Sequence, residues 1–320
     1  MGMRYKRLGT SDLEVSVVGL GTWAIGGDFW GSVDDRRSIE TIQRAIDCGI
    51  NLIDTAPAYG SGHAERIVGE AIKGRRDKVI IATKCGIVRE GSRFIRNLKP
   101  ESIRKEIDDS LQRLGVDVID LYQIHWPDKN TSLEDTVNEL IKLRQAGKFR
   151  YLGVSNFDTK LMEEITSMTE VVSLQPHYSL LERSIEKDVL PFCREKGIGV
   201  LTYGSLSGGI LTGKFKERPK LEQGDNRDKF YPFFREPLWS KAVQLVGVLR
   251  EIAEEVGKPV AHVAINWVNQ QEGVTTALVG AKTPEQAQQN AEAGEWELSE
   301  EHLKRIEDAY RKIFGTESND

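Results

Sequence analysis

Residues 50–84 read INLIDTAPAYGSGHAERIVGEAIKGRRDKVIIATK. The stretch opens on a short apolar run, Asn51–Asp54, and crosses a loop holding Pro57 and Gly60. It then takes up a helical apolar repeat over Ala64–Lys73, breaks at Gly74 and returns to an apolar run over Val79–Lys84. Short apolar run, amphipathic segment, short apolar run is the signature of a strand–helix–strand unit. Both runs end on an ionisable group, Asp54 and Lys84, with Tyr59 in the loop between. A buried strand tolerates such a group only where it opens onto water or a partner, so these ends mark a candidate site.

The same alternation extends in both directions. Further apolar runs fall at Val17–Gly21, Ile119–His125, Tyr151–Ser155, Val171–Gln175, Gly199–Tyr203 and Thr276–Gly280, making eight with the first pair. Helix-like periodicity fills the intervals at Asp34–Cys48, Pro100–Leu114, Leu133–Gln145, Lys160–Met168, Ile185–Lys196, Leu238–Glu255 and Glu285–Glu292. Gly49, Gly74, Gly115, Gly147 and Gly197 supply helix stops, and Ser132 with Glu134 and Asp135 a helix start. Eightfold alternation without a Pro/Gly/Ser-rich linker predicts one domain over residues 1–320, a (β/α)8 TIM barrel rather than a doubly wound sheet.

Three segments stand outside the repeat. Arg4–Leu8 followed by Thr10–Val15 predicts a hairpin that closes the bottom of the barrel. Gly204–Pro237, charged and aromatic, is a long connection after strand seven, of the kind that covers a site. Pro259–Gln270 predicts an extra helix.

Composition narrows the function classes. Lys plus Arg total 44 against 49 Asp plus Glu, a net charge of −5, and no long basic block offers a nucleic-acid footprint. No apolar run has membrane-span length and Met1–Lys6 lacks a signal peptide's apolar stretch, so the expected location is the cytoplasm. The three cysteines, Cys48, Cys85 and Cys193, form no CxxC pair and read as reduced thiols.

In a parallel barrel all strand C-termini share one face. Asp54, Lys84 and His125 therefore converge from strands two, three and four, with Tyr59 folding back over the same mouth. A tyrosine titrates at about 10, and a cation against its oxygen lowers that value. Lys84 is the expected cation, Asp54 its counter-ion, and His125 either a hydrogen-bonding partner for a substrate carbonyl or a help in shuttling the proton. The set suits protonation of a developing alkoxide. As metal ligands these residue types are poor, and no HxH or HExxH spacing exists, so no metal is expected and a metal-dependent barrel hydrolase does not fit. No GxGxxG opens a strand–helix unit either. The small-residue run Gly204–Gly209 after strand seven, with Lys282 after strand eight, lies where barrels bind phosphate.

These motifs resemble the aldo-keto reductases. The matching segments include Gly19–Trp23, Ile53–Gly60, Ile81–Lys84, Asp120–Asp128, Gly153–Phe157, Leu174–Leu180, Tyr203–Leu206, Leu211–Lys214 and Val279–Lys282. The likeness runs along nearly the whole chain and is nearest to a bacterial, monomer-type branch that resembles potassium-channel β subunits. It implies a monomer or weak homo-oligomer acting on a small-molecule carbonyl substrate, with Asp54, Tyr59, Lys84 and His125 as catalytic tetrad and Tyr59 as proton donor. It implies that Ser155, Asn156 and Gln175 hold a nicotinamide carboxamide and that Tyr203 stacks on the ring. Ser205, Leu206, Gly209 and Lys214 would wrap the pyrophosphate, with Gly204 in the same cofactor set; Gly280, Lys282, Gln286 and Asn290 would hold the adenosine 2′-phosphate end. Gly21, Thr22, Trp23 and Asp54 belong to the same cofactor set, and Arg227 is a further cation for it. Ser205 stands where many relatives have Pro, and Lys282 where many have Arg; lysine keeps the charge and loses the planar fork. The expected cofactor is NADPH in preference to NADH. Trp23, Phe29, Trp30 and Trp126, with Tyr59 and His125, are the expected substrate-pocket walls. A nicotinamide-binding sensor or regulatory subunit with little turnover is the alternative, which the intact tetrad disfavours.

Overall fold

The structure, a computed structural model, describes residues 2–27, 30–31, 33–91, 93–221 and 224–315. Eight parallel strands close a barrel: β1 Val18–Gly21, β2 Leu52–Asp54, β3 Ile80–Cys85, β4 Ile119–Ile124, β5 Phe149–Ser155, β6 Ser173–Gln175, β7 Gly199–Thr202 and β8 Val274–Gly280. Each strand pairs with its neighbour in sequence, and β8 closes on β1 through Gly280 opposite Gly21. All eight expected strands are present, each within a few residues of its expected bounds.

Ten helices of eight residues or more surround or extend the barrel among the described residues: α1 Asp35–Asp47, α2 His63–Ala71, α3 Pro100–Leu114, α4 Leu133–Gln145, α5 Thr159–Met168, α6 Val189–Lys196, α7 Leu238–Val256, α8 Val260–Asn269, α9 Pro284–Glu292 and α10 Glu300–Phe314. Their starts follow from cap chemistry. Asp34, Ser132, Asp158 and Thr283 each accept from a backbone N–H inside the helix they precede. The helix expected over Ile185–Lys196 is shorter, because Asp188 accepts from Val189 N and restarts the chain there after a separate 3-10 turn at Ser184–Glu186.

Two of the larger elements among the described residues carry no sequence expectation. One is the antiparallel hairpin Ile87–Glu90/Arg93–Arg96 after β3, whose polar residues hide any strand-like alternation. The other is α10, which packs on α7 and buries only Ile306 completely.

The hydrophobic interior is divided in two. The larger part lies between strands and helices. The smaller fills the barrel lumen, where Leu52, Ala82, Leu121, Leu201 and Leu278 meet Leu8, Leu13 and Val15 from the N-terminal hairpin, Tyr5–Arg7 paired with Glu14–Ser16. The hairpin is thus a plug at the strand N-termini, as expected. Gly9 makes the fit possible: its φ is +53°, and a Cβ there would stand 2.2 Å from the Val172 carbonyl oxygen.

Candidate active site

Asp54 ends β2, Lys84 lies one residue before the end of β3, and His125 follows β4, donating its backbone N–H to Cys85 O. Lys84 Nζ is buried and donates to Asp54 Oδ1 at 2.7 Å, Thr55 O at 2.9 Å and Tyr59 OH at 3.3 Å. Its three protons are therefore all directed. Tyr59 is set by backbone packing. Gly26, ending the turn Trp23–Gly26, lies so close to the Tyr59–Gly60 peptide that a Cβ at Gly26 would come within 2.7 Å of Tyr59 C. The Tyr59 and His125 rings meet edge to face, centroids 5.9 Å apart.

The electrostatics refine one expectation. Burial, and then the Asp54 charge, hold the Tyr59 phenol well above its ordinary pKa. Lys84 does not reverse this, because its charge is matched by the carboxylate 2.7 Å away. The phenol is thus held in its protonated form. Burial, and then Lys84, push His125 well below the usual imidazole range, so the ring is neutral. A protonated phenol beside a neutral imidazole can chemically offer hydrogen bonds and a proton to an oxygen that gains negative charge.

Above this floor lies a cavity of about 760 Å³. Every expected cofactor residue lines it except Thr22, whose buried hydroxyl instead donates to Asp54 O. Lys84 sits beneath the floor, outside the lining. At one wall, Asn156 adopts φ +61° and spends its amide protons on His125 O and Ser155 Oγ, while its Oδ1 accepts from Tyr203 OH at 2.8 Å. The Tyr203 ring is backed by His177, stacked at 5.0 Å and 6°.

At the far end Lys214, Arg227 and Lys282 gather. Burial, then Arg227 and Lys282, lower the Lys214 ammonium pKa. Arg227 is braced by Asp225 and donates to Gly208 O at 2.8 Å, while Lys282 Nζ donates to Trp30 O. Trp30 bridges to Asp225, lies under the Arg227 guanidinium at 5.5 Å, and has a buried indole N–H without a partner among the described residues. Crowded cations, an orphaned N–H and the left-handed pair Gly208-Gly209 form a donor set suited to phosphate oxygens. The loop after β7 thus covers the cavity and is tied to the loop after β1.

Trp23, Trp30, Trp126, Tyr59 and His125 all line the cavity, while Phe29 lies outside the described residues. Among the described residues no cluster of three or more His, Cys, Asp or Glu is placed to hold a metal ion, and no helix is long and apolar enough to cross a membrane.

A model of the aldo/keto reductase family matches residues 17–311. The chain belongs to the aldo/keto reductase family. It is accordingly an NAD(P)H-dependent oxidoreductase. It is 43% identical over 307 residues to the aldo-keto reductase YhdN of Bacillus subtilis, covering 95% of this chain and 92% of that protein. It is 40% identical over 309 residues to the NADH-specific methylglyoxal reductase of Escherichia coli, covering 92% and 94%. The glycerol dehydrogenase AKR11B4 from Gluconobacter oxydans superposes with a TM-score of 0.90 at 41% identity, covering 98% of this chain and 97% of that one.

Within this reductase the cavity has walls that sequence reasoning missed. Ile87 and Phe94 come from the unexpected hairpin, Phe230 and Tyr231 from the covering loop. Arg96 of that hairpin stacks on Trp126 at 4.7 Å. The covering loop's aromatic content was visible; no signal in residues 87–96 marked them as a wall.

Proposed function

We propose that this enzyme reduces aldehydes and ketones to alcohols, preferring NADPH to NADH, with Tyr59 as general acid. The carrying observation is the Asp54–Lys84–Tyr59 chain of contacts at the floor of a cavity with an aromatic end and a cationic end. When bound, the nicotinamide supplies the hydride. Tyr59 donates its proton to the carbonyl oxygen, and neutral His125 orients that oxygen. Lys84 holds the phenol in place and offsets the charge left on it. Asp54 keeps Lys84 charged and fixed.

Ser155, Asn156 and Gln175 hold the carboxamide, Tyr203 the ring face, and the Gly204–Gly209 loop with Lys214 the pyrophosphate. Lys282, with Gln286, Asn290 and the nearby Arg227, favours a 2′-phosphate through its positive charge at that end of the cavity. The relative named NADH-specific makes this a point to measure. The aromatic walls Trp23, Phe94, Trp126 and Phe230 suit bulky apolar carbonyl compounds.

Oxidation of NADPH and of NADH, followed with a panel of aromatic aldehydes, ketones, 2-oxo acids and sugars, tests both parts. Turnover of aromatic aldehydes with a lower KM for NADPH is the expected result. Turnover with NADH alone would overturn the cofactor preference, and no turnover with any carbonyl compound would overturn the activity.

A further inference from the structure

Below the tetrad the lumen holds two amides that the roles above only half use. Asp54 Oδ1 is taken by Lys84, while Oδ2 accepts from Gln175 Nε2 at 2.8 Å and from Gln123 Nε2 at 3.2 Å. A carboxylate offers only lone pairs, so both amides must turn their NH2 groups to it. The second Gln175 N–H then goes to Gln123 Oε1 at 3.2 Å. Both protons of Gln175 are thereby spent, and the atom left for the cavity, which Gln175 lines, is its acceptor Oε1. Gln123 itself is fully buried on β4 and does not reach the cavity.

We propose that Gln123 is a positioning residue that locks Asp54 and Gln175 together, tying the proton-donor assembly to the seat of the nicotinamide carboxamide. The inference rests on the function proposed above. Gln123 gives Asp54 its third side-chain donor and fixes which end of Gln175 faces a ligand. A carboxamide N–H meets a preset acceptor rather than an amide free to turn, and preset geometry spares the ordering cost of binding. An apolar side chain of the same length would fill the space and do neither.

The test uses Gln123→Met, which keeps the bulk, and Gln123→Glu, which keeps the acceptor. Fluorescence titration measures NADPH binding, and displacement measures 2′-phospho-ADP-ribose, which lacks the nicotinamide. In Gln123→Met the NADPH Kd rises about five- to tenfold, as expected for one hydrogen-bonded contact, and the nicotinamide-free ligand binds as before. The rise of alcohol oxidation with pH, where the phenol must give up its proton, also moves to higher pH. The groups facing the phenol are Asp54, Lys84, His125, Tyr203 and Tyr231, with Glu65 behind Lys84. Of these, Asp54 loses a donor, so its charge falls more fully on Tyr59 and favours the phenol.

Gln123→Glu sets two carboxyl groups against each other, so one retains a proton at low pH and can take over the missing N–H. Its NADPH affinity is near wild type at low pH and falls as pH rises. Wild-type affinity and an unmoved pH profile in Gln123→Met would overturn the proposal, as would equal weakening of both ligands. If Gln123→Met does not fold, a pH-independent affinity in Gln123→Glu overturns it instead. Failure of the wild type to bind either NADPH or NADH would count against the function itself.

Discussion

The two ends of the barrel lumen are built from the same eight strands and differ in almost every other respect. At the N-terminal end Leu8, Leu13 and Val15 plug an interior of leucines, valine and alanine. At the C-terminal end, Asp54, Lys84, Gln123 and Gln175 fill equally buried space with charge and amide. The first end gains stability from every methylene it buries, roughly 1.5–3 kcal/mol for a full aliphatic side chain. The second gains little net stability from its ion pair, because desolvation offsets the attraction. What it gains is a fixed direction for each donor. One fold thus keeps its stability and its chemistry a few residues apart on the same strands.

The sharpest break of that contrast is Lys84→Met. It removes the cation from Tyr59 and leaves Asp54 buried without its counter-ion. Turnover is expected to fall ~10²–10⁴-fold, the usual weight of positioned acid catalysis. Stability falls by about 3–5 kcal/mol, as for other broken buried pairs. Steady-state rates and urea melts measure both; an enzyme that keeps its rate would show that Lys84 is only structural.

Leu8→Ala, at the opposite end, costs ~2–5 kcal/mol by opening a cavity in the plug. Turnover per folded molecule stays at the wild-type value. A loss of rate equal to that of a floor variant would mean that the two ends are not separable.

A smaller effect sits behind β3. Burial raises the Glu106 carboxyl from 4.5 to about 7, although Gly86 N and Ser102 Oγ donate to it. A raised carboxyl binds more protons folded than unfolded. Its contribution is therefore fully present below about pH 4.5 and is lost as pH rises to about 7. Glu106→Gln should flatten the fall of Tm across that window. An unchanged slope would place the pH dependence elsewhere.

How far the sequence showed this contrast depends on periodicity. The eight strands were legible because buried parallel strands are continuous apolar runs, and the helix ends because glycine and cap residues announce them. Asp54, Lys84 and His125 were legible as ionisable groups at the ends of such runs. Gln123 was not: it sits inside an apolar run, and only the closed barrel brings it beside Gln175, a residue distant in sequence. The Ile87–Arg96 hairpin was missed because its arginines mask its alternation, and Phe94 with it. The direction of the Tyr59 shift was misjudged because one contact, Lys84, was weighed without the burial that outweighs it.

The central claim is that Tyr59 delivers the proton. Tyr59→Phe keeps the ring that stacks with Trp23 and loses only the hydroxyl. With a reactive aromatic aldehyde, NADPH oxidation by this variant should drop by orders of magnitude while fluorescence titration shows NADPH bound as in the wild type. Undiminished turnover with intact binding would contradict the account.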